Sequence, residues 1–303
     1  MNSHEPMEAR PDQARSAPDI PRRRLDFDFD PGTVPRDFYA GDPVLSLVMA
    51  SLSIVFPEGE RFFVASVAHF RDRIDDPVLA RAVKGFAAQE GMHSKEHAAF
   101  NAMLVAHDLG VAQDLERQVR TLLRLRKKTS SPEAQLAVTC ALEHFTAIMA
   151  EQLLTDREHR DAMHPSVRWL WVWHALEESE HKAVAFDVYR KVDGSYLRRA
   201  RVMALVTLFF VGFISYGHLR LLKARGLLGD ARGLLRALDY LWLRPGLFRR
   251  LVPAYLAYYR PGFHPDDRDT TALLREWRER LFGEGGALRA RLDAATRRER
   301  PAA

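Results

Sequence analysis

The sequence predicts an all-α protein, a four-helix bundle with a C-terminal helical extension, on three observations. Four long segments open on helix-start signals with proline in the first turn: Asp42-Pro43, Asp76-Pro77, Ser131-Pro132 and His164-Pro165. Each carries apolar residues at alternating steps of three and four, the period of a half-buried helix. On those stripes lie, in order, a lone Glu60, Glu90-Gly-Met-His93, a lone Glu143 and Glu178-Ser-Glu-His181. Glu60 precedes Glu90 by 30 residues and Glu143 precedes Glu178 by 35, each about one bundle helix with its turn.

Residues 1–36, rich in Pro, Arg and Asp without a sustained apolar period, read as a flexible arm, and residues 37–195 as the bundle. The first helix runs through Val44 to Phe56 and is expected to break or kink at Pro57. Its continuation puts Glu60, Phe63, Val64 and Val67 on one stripe and leaves Glu58 less well placed. The second helix carries Ala82, Phe86, Glu90, His93, His97, Phe100 and Leu104 and stops at Gly110. The third carries Leu136, Cys140, Glu143, Ala147, Ala150 and Leu154, with Glu151 on the adjacent stripe as a substitute. The fourth carries Val167, Trp171, His174, Glu178, His181, Ala185 and Val188. Glu177 and Glu180 fall off that stripe and read as solvated or as supporting groups, and the Trp169, Trp171, Trp173 cluster reads as packing.

Residues 196–265 form the hydrophobic and basic extension, and 266–303 a polar, exposed C-terminal helix. Residues 195–260 contain 12 Lys or Arg against two acids, so the basic half of a chain of net charge +5 lies here. That charge is interleaved with Leu, Phe, Tyr and Trp, which suits a bilayer surface and argues against nucleic acid. Residues 202–219 are free of charge, about 27 Å of helix at 1.5 Å per residue, the lower edge of a membrane span. A buried or interface-inserted helix is the preferred expectation for them, and an interfacial pair or a lid over the site for residues 227–262. A single cysteine, Cys140, excludes an internal disulfide, and the N-terminus lacks the apolar core of a signal peptide. The expectation is a cytoplasmic protein that can associate with a membrane.

A Glu and a His three residues apart on a helix share a face and can reach one ion. Two such pairs plus a Glu from each of two other helices match the ligand set of ferritin-like dinuclear carboxylate proteins, which makes the expected fold a ferritin-like four-helix bundle. The candidate metal ligands are therefore Glu60, Glu90, His93, Glu143, Glu178 and His181, with His174, four residues before Glu178, as a third imidazole. His97, Asp187 and Cys140 are candidates for supporting positions, and His144 points away. Carboxylate and imidazole donors suit two ions, iron first, with manganese or zinc as alternatives.

The segments Phe56-Pro-Glu-Gly-Glu60-Arg-Phe-Phe, Gln89-Glu-Gly-Met-His93 with His97, Glu143-His-Phe-Thr, His174-Ala-Leu-Glu-Glu-Ser-Glu-His181-Lys and Tyr259-Arg-Pro-Gly-Phe-His resemble the bacterial family called predicted metal-dependent hydrolases, over about residues 25–265. The ligand set is also similar to that of the di-iron arylamine N-oxygenases, where a His one turn before the last Glu-x-x-His adds a third imidazole. The function expected first is an O2-activating di-iron oxygenase or oxidase on an apolar organic substrate, in a pocket walled by Phe63, Phe86, Phe100 and Cys140. The alternative, which the family name implies, is a dinuclear hydrolase, and a further one is non-enzymatic iron binding or storage. Expected partners are an apolar small molecule, O2 for an oxygenase, a membrane surface and, as an option, a second copy of the chain in a homodimer.

Overall fold

The computed structural model describes residues 20–299, and every regular element among them is helical. The chain runs through α1 (Pro43–Ala68), α2 (Pro77–Ala106), α3 (Val111–Thr129), α4 (Pro132–Thr155), α5 (Arg157–Asp161), α6 (Pro165–His181) and α7 (Val184–Val192). Asp42, Asp76 and Ser131 accept hydrogen bonds from free backbone N–H groups of α1, α2 and α4, as their positions before Pro43, Pro77 and Pro132 anticipate. α1 packs along α2 and α4 along α6; contacts of α1 with α4, and of α2 with α6 and α7, close the set around the acidic residues.

Two local expectations are corrected, and one helix was not anticipated. α1 does not break at Pro57. Proline has no N–H to give the Ser53 carbonyl, but Asn101 of α2 donates Nδ2–H to that carbonyl at 3.2 Å, and the Pro57 carbonyl accepts the Ser94 hydroxyl at 3.0 Å. The partner helix thus supplies what proline removes. The fourth helix, expected to be continuous, ends at His181, and Lys182 and Ala183 separate it from α7. The crossover contains α3, whose Ala112, Leu115 and Val119 are buried while its many charges face outward.

The N-terminal arm is not free from residue 20 onward: Leu25, Phe29 and Val34 are buried in the core, as is Arg23. The arm before residue 20 lies outside the described residues. After α7 come α8 (Tyr196–Ala224), α9 (Ala231–Leu238), a short π-helical stretch (Asp239–Leu243), α10 (Leu247–Ala257), α11 (Thr271–Phe282) and α12 (Arg289–Glu299). The exposed C-terminal helix expected over 266–303 is instead α11 and α12. Trp277 and Leu281 of α11 are buried, and the Trp277 indole donates to the Leu154 carbonyl at 3.0 Å. Residues 300–303 lie outside the described residues.

Two stretches among the described residues, Pro43–Arg73 and Tyr196–Ala224, are long and apolar enough to cross a membrane. The first is a core helix, with 78% of its apolar window buried, whereas only 17% of the window in α8 is. α8 lays one face on α1 and α4 through Val202, Met203, Val206 and Leu221, and leaves the other outside.

Candidate metal centre

The site follows from helix periodicity. Glu60, Glu90, His93, Glu143, His174, Glu178 and His181 are all buried, on the inward stripes of α1, α2, α4 and α6. They fall into two adjoining groups, Glu60 with His93 and His174, and Glu90 with Glu143, Glu178 and His181; within each, one donor atom per residue lies within 4.8 Å of the others. Glu178 and Glu90 adjoin both groups. Glu178 Oε1 is 2.9 Å from His174 Nε2, 3.5 Å from His93 Nδ1 and 3.6 Å from His181 Nε2. Glu90 Oε1 is 3.0 Å from His181 Nε2 and 3.8 Å from His93 Nδ1.

Proton accounting shows which way each imidazole faces. Gln89 donates Nε2–H to Glu180 (2.7 Å) and to the Pro21 carbonyl (3.1 Å), so its Oε1 accepts the Nδ1–H of His181 at 2.9 Å. His181 Nε2 then faces Glu90. His93 donates Nε2–H to Glu177 at 3.0 Å, which leaves Nδ1 facing Glu178 and Glu90. The third chain begins beside Pro57. Asn101 spends its Nδ2 hydrogens on the Ser53 carbonyl and on Glu116 (2.7 Å), so its Oδ1 accepts the Ser53 hydroxyl at 2.7 Å. Ser53 Oγ therefore accepts His97 Nδ1–H (2.8 Å), His97 Nε2 accepts His174 Nδ1–H (2.7 Å), and His174 Nε2 faces Glu178 with its lone pair. Each imidazole spends one N–H outward, so the nitrogen left facing the carboxylates is the one whose proton a metal would replace.

Most of the inward atoms are left without partners, His174 Nε2 and Glu178 Oε1 excepted. Of the fourteen buried side-chain N and O atoms lacking a hydrogen bond among the described residues, nine belong here: both oxygens of Glu60, Glu90 and Glu143, Glu178 Oε2, His93 Nδ1 and His181 Nε2. An uncompensated buried carboxylate costs several kcal/mol, so such a concentration calls for a cation. The electrostatics agree. Burial, then Glu90, pushes Glu60 well above the usual carboxylate range, and burial, Glu178 and Glu90 do the same to Glu143. Burial opposes protonation of His93 and His181, but their carboxylate neighbours prevail and hold both imidazoles well above the ordinary range. Burial and neighbouring imidazoles keep His97 and His174 below it. Protons on the first four groups do the work that metal charge would do.

Several residues stand differently from expectation. Of the two expectations for Glu177 and Glu180, the supporting role fits and the solvated one does not: both are buried, and Glu177 takes the His93 N–H. Arg23 of the N-terminal segment bonds Glu177 and Glu180 at 2.8 Å each, and Arg278 of α11 reaches Glu180 at 2.6 Å. Asp187 does orient an imidazole, but that of His264 (2.8 Å), away from the cluster. Cys140, its thiol pushed up by burial, donates to the Ala185 carbonyl at 3.3 Å. Glu151 pairs with Arg268 (2.8 Å), and His144 faces the Ala254 carbonyl (3.1 Å). Arg23, Ser53 and Asn101 were not singled out from the sequence, Gln89 figured there only as part of a motif, and Glu177 only as a solvated or supporting group. Asn101 could have been, since it stands four residues past His97 on the same stripe; nothing in the sequence marks Arg23.

A cavity of about 80 Å³ reaches the centre at His174 and Glu178. Its walls include Val48, Leu52 and Phe56 of α1, Ala150 and Leu153 of α4, and Phe248 of α10, so it is apolar as expected but not where expected. Phe86 instead sits edge-on to His181 (5.0 Å), Phe100 packs on Phe29 and Phe38, and neither these nor Phe63 nor Cys140 lines it.

A family model described as predicted metal-dependent hydrolase matches residues 21–269. The chain belongs to that family. No curated protein and no solved structure matches it. The buried cluster of metal-type donors lies within the matched region.

Glu90→Ala or Glu178→Ala is expected to abolish stoichiometric metal binding with the helical circular dichroism retained, whereas Glu177→Gln, which keeps His93 bonded less well, weakens binding by about 10- to 100-fold. Metal titration of the purified variants checks this; equal loss in all three would show that the inward face of α6 has been misassigned.

The pH dependence has a definite sign. Glu60, Glu143, His93 and His181 all bind protons more tightly folded than unfolded, so the stability they lend the ion-free protein is present below their unfolded pKa values and is lost as pH rises toward the raised ones. An ion displaces those protons, so the rise in melting temperature on adding metal should be greater at pH 8 than at pH 6. A rise that shrinks between those values would contradict the assignment.

Proposed function

We propose that the donor cluster is a dinuclear metal centre in a ferritin-like bundle and that the protein is a metal-dependent hydrolase acting on an apolar substrate held in the adjoining cavity. The observation that carries this reading is the set of three inward-facing imidazole nitrogens among unpartnered carboxylate oxygens, reached by an apolar cavity. Glu60, His93 and His174 would hold one ion, Glu143 and His181 the other, and the positions of Glu90 and Glu178 between the groups favour these two over Glu60 and Glu143 as the shared carboxylates. Such a pair of ions supplies a water of lowered pKa and polarises a carbonyl or phosphoryl group. The chain's own part is to hold the imidazoles in one tautomer through Glu177, Gln89 and His97, and to keep solvent from the apolar cavity beside His174. That cavity selects substrates with a hydrocarbon portion next to the scissile group.

The family description supports hydrolysis over the oxygen chemistry that the sequence put first. One observation still favours the second reading, an O2-activating di-iron enzyme: two Glu-x-x-His pairs and two lone Glu residues, all on helices, are the donor set of di-iron carboxylate proteins. Metal analysis of protein produced with iron, manganese and zinc available, followed by assays of hydrophobic ester and phosphoester panels and by O2 exposure of the reduced form under optical detection, separates the two. Two ions per chain with hydrolysis that Glu178→Ala removes is the expected result. An O2-dependent absorption change without hydrolysis favours the second reading, and protein that binds no stoichiometric metal contradicts both.

A further inference from the structure

α8 and the segment from α9 to α10 carry an exposed apolar surface that the soluble core does not use. Along α8, Leu205, Leu208, Val211 and Leu219 recur on the face turned from the bundle, with Leu208 and the neighbouring Phe209 69% and 71% exposed. Leu235, Leu238, Trp242, Leu243 and Leu256 are likewise exposed on α9, the π-helical stretch and α10. The two regions adjoin. Phe145 of α4 stacks on both Phe210 of α8 and Tyr255 of α10 (5.3 and 5.5 Å), and the Thr207 and Tyr255 hydroxyls bond at 2.9 Å. A contiguous apolar patch of this kind on a globular chain marks an interaction site.

Charge says what covers it. Over residues 195–260 the basic residues exceed the acids by ten. Arg236, Arg244 and Arg250 are neutralised by Asp42, Asp239 and Asp156, but Arg201, Lys223, Arg232 and Arg249, all exposed, meet no acid among the described residues. A second copy of the chain would bring the same excess positive charge against itself. An anionic leaflet offers opposite charge and a hydrocarbon layer together.

We propose that the outer faces of α8 and of the α9–α10 segment form a docking surface for an anionic bilayer, entered from one side and not spanned. α8 supports this geometry: its inner face is committed to α1 and α4, so lipid can meet only the outer one. The same α9–α10 segment covers the cavity through Leu241, Leu247 and Phe248, so docking brings the cavity's cover to the membrane.

The test is flotation of the full chain with vesicles of phosphatidylcholine alone or with phosphatidylglycerol added, at low and high salt, alongside Leu208→Glu/Phe209→Glu and Leu235→Glu/Leu238→Glu variants and measurement of mass in solution. The expected result is partition that requires phosphatidylglycerol, fades with salt and falls by about tenfold or more in each variant, with helical content unchanged. A protein that stays in solution with both vesicle types overturns the proposal. So does partition that survives high salt and alkaline extraction, which would mean insertion, or a dimer dissolved by the Leu208→Glu/Phe209→Glu change, which would make the face a protein contact. None of these readouts depends on metal or turnover.

Discussion

Four carboxylates enclosed with three imidazoles repel one another unless positive charge lies among them, and the rest of the fold is arranged around that constraint. α1, α2, α4 and α6 each bring at least one donor inward. Around the donors a second layer does no ligation but removes freedom: Glu177 takes the outer hydrogen of His93, Gln89 that of His181, and His97 that of His174. That layer is itself anchored at distance. Arg23 from the N-terminal segment and Arg278 from α11 hold Glu180 below the usual carboxylate range against the pull of burial. Burying the outer acids therefore requires both ends of the chain to fold back over the bundle.

The same dependence explains how a proline comes to lie in the middle of α1. Pro57 deprives the Ser53 carbonyl of its helical partner, and Asn101 supplies one; in doing so the amide is oriented, the Ser53 hydroxyl is committed, and the order passes through His97 to His174. A backbone defect one turn from Glu60 is thereby turned into a constraint on an imidazole. Short polar chains of this kind, with every member satisfied, specify one arrangement more strictly than apolar packing does.

Much of the centre was legible in the sequence because helical periodicity is local: Glu60, Glu90, His93, Glu143, His174, Glu178 and His181 lie on stripes that the spacing alone defines, and the helix starts at Pro43, Pro77, Pro132 and Pro165 are where the capping residues put them. What was not legible depends on tertiary contacts. The burial of Glu177 and Glu180 is decided by Arg23, more than 150 positions away. The continuity of α1 is decided by Asn101 on another helix, and the cavity's location by α10 closing over α1 and α4. α3 was passed over because its charges mask a narrow apolar stripe. The family resemblance seen in the motifs is met by the matched region, residues 21–269, while the order of preference between oxygen chemistry and hydrolysis was reversed by the family's description.

In the reading proposed above, the inward atoms hold two ions. A crystal structure of the metal-loaded protein, with anomalous scattering recorded at the metal edges, tests it directly. Two anomalous peaks per chain are expected, one among Glu60, His93 and His174, the other among Glu143 and His181, with Glu90 and Glu178 reaching both. A loaded protein with its ions elsewhere, or with hydrogen-bonded waters filling this cluster and no anomalous signal, would contradict it.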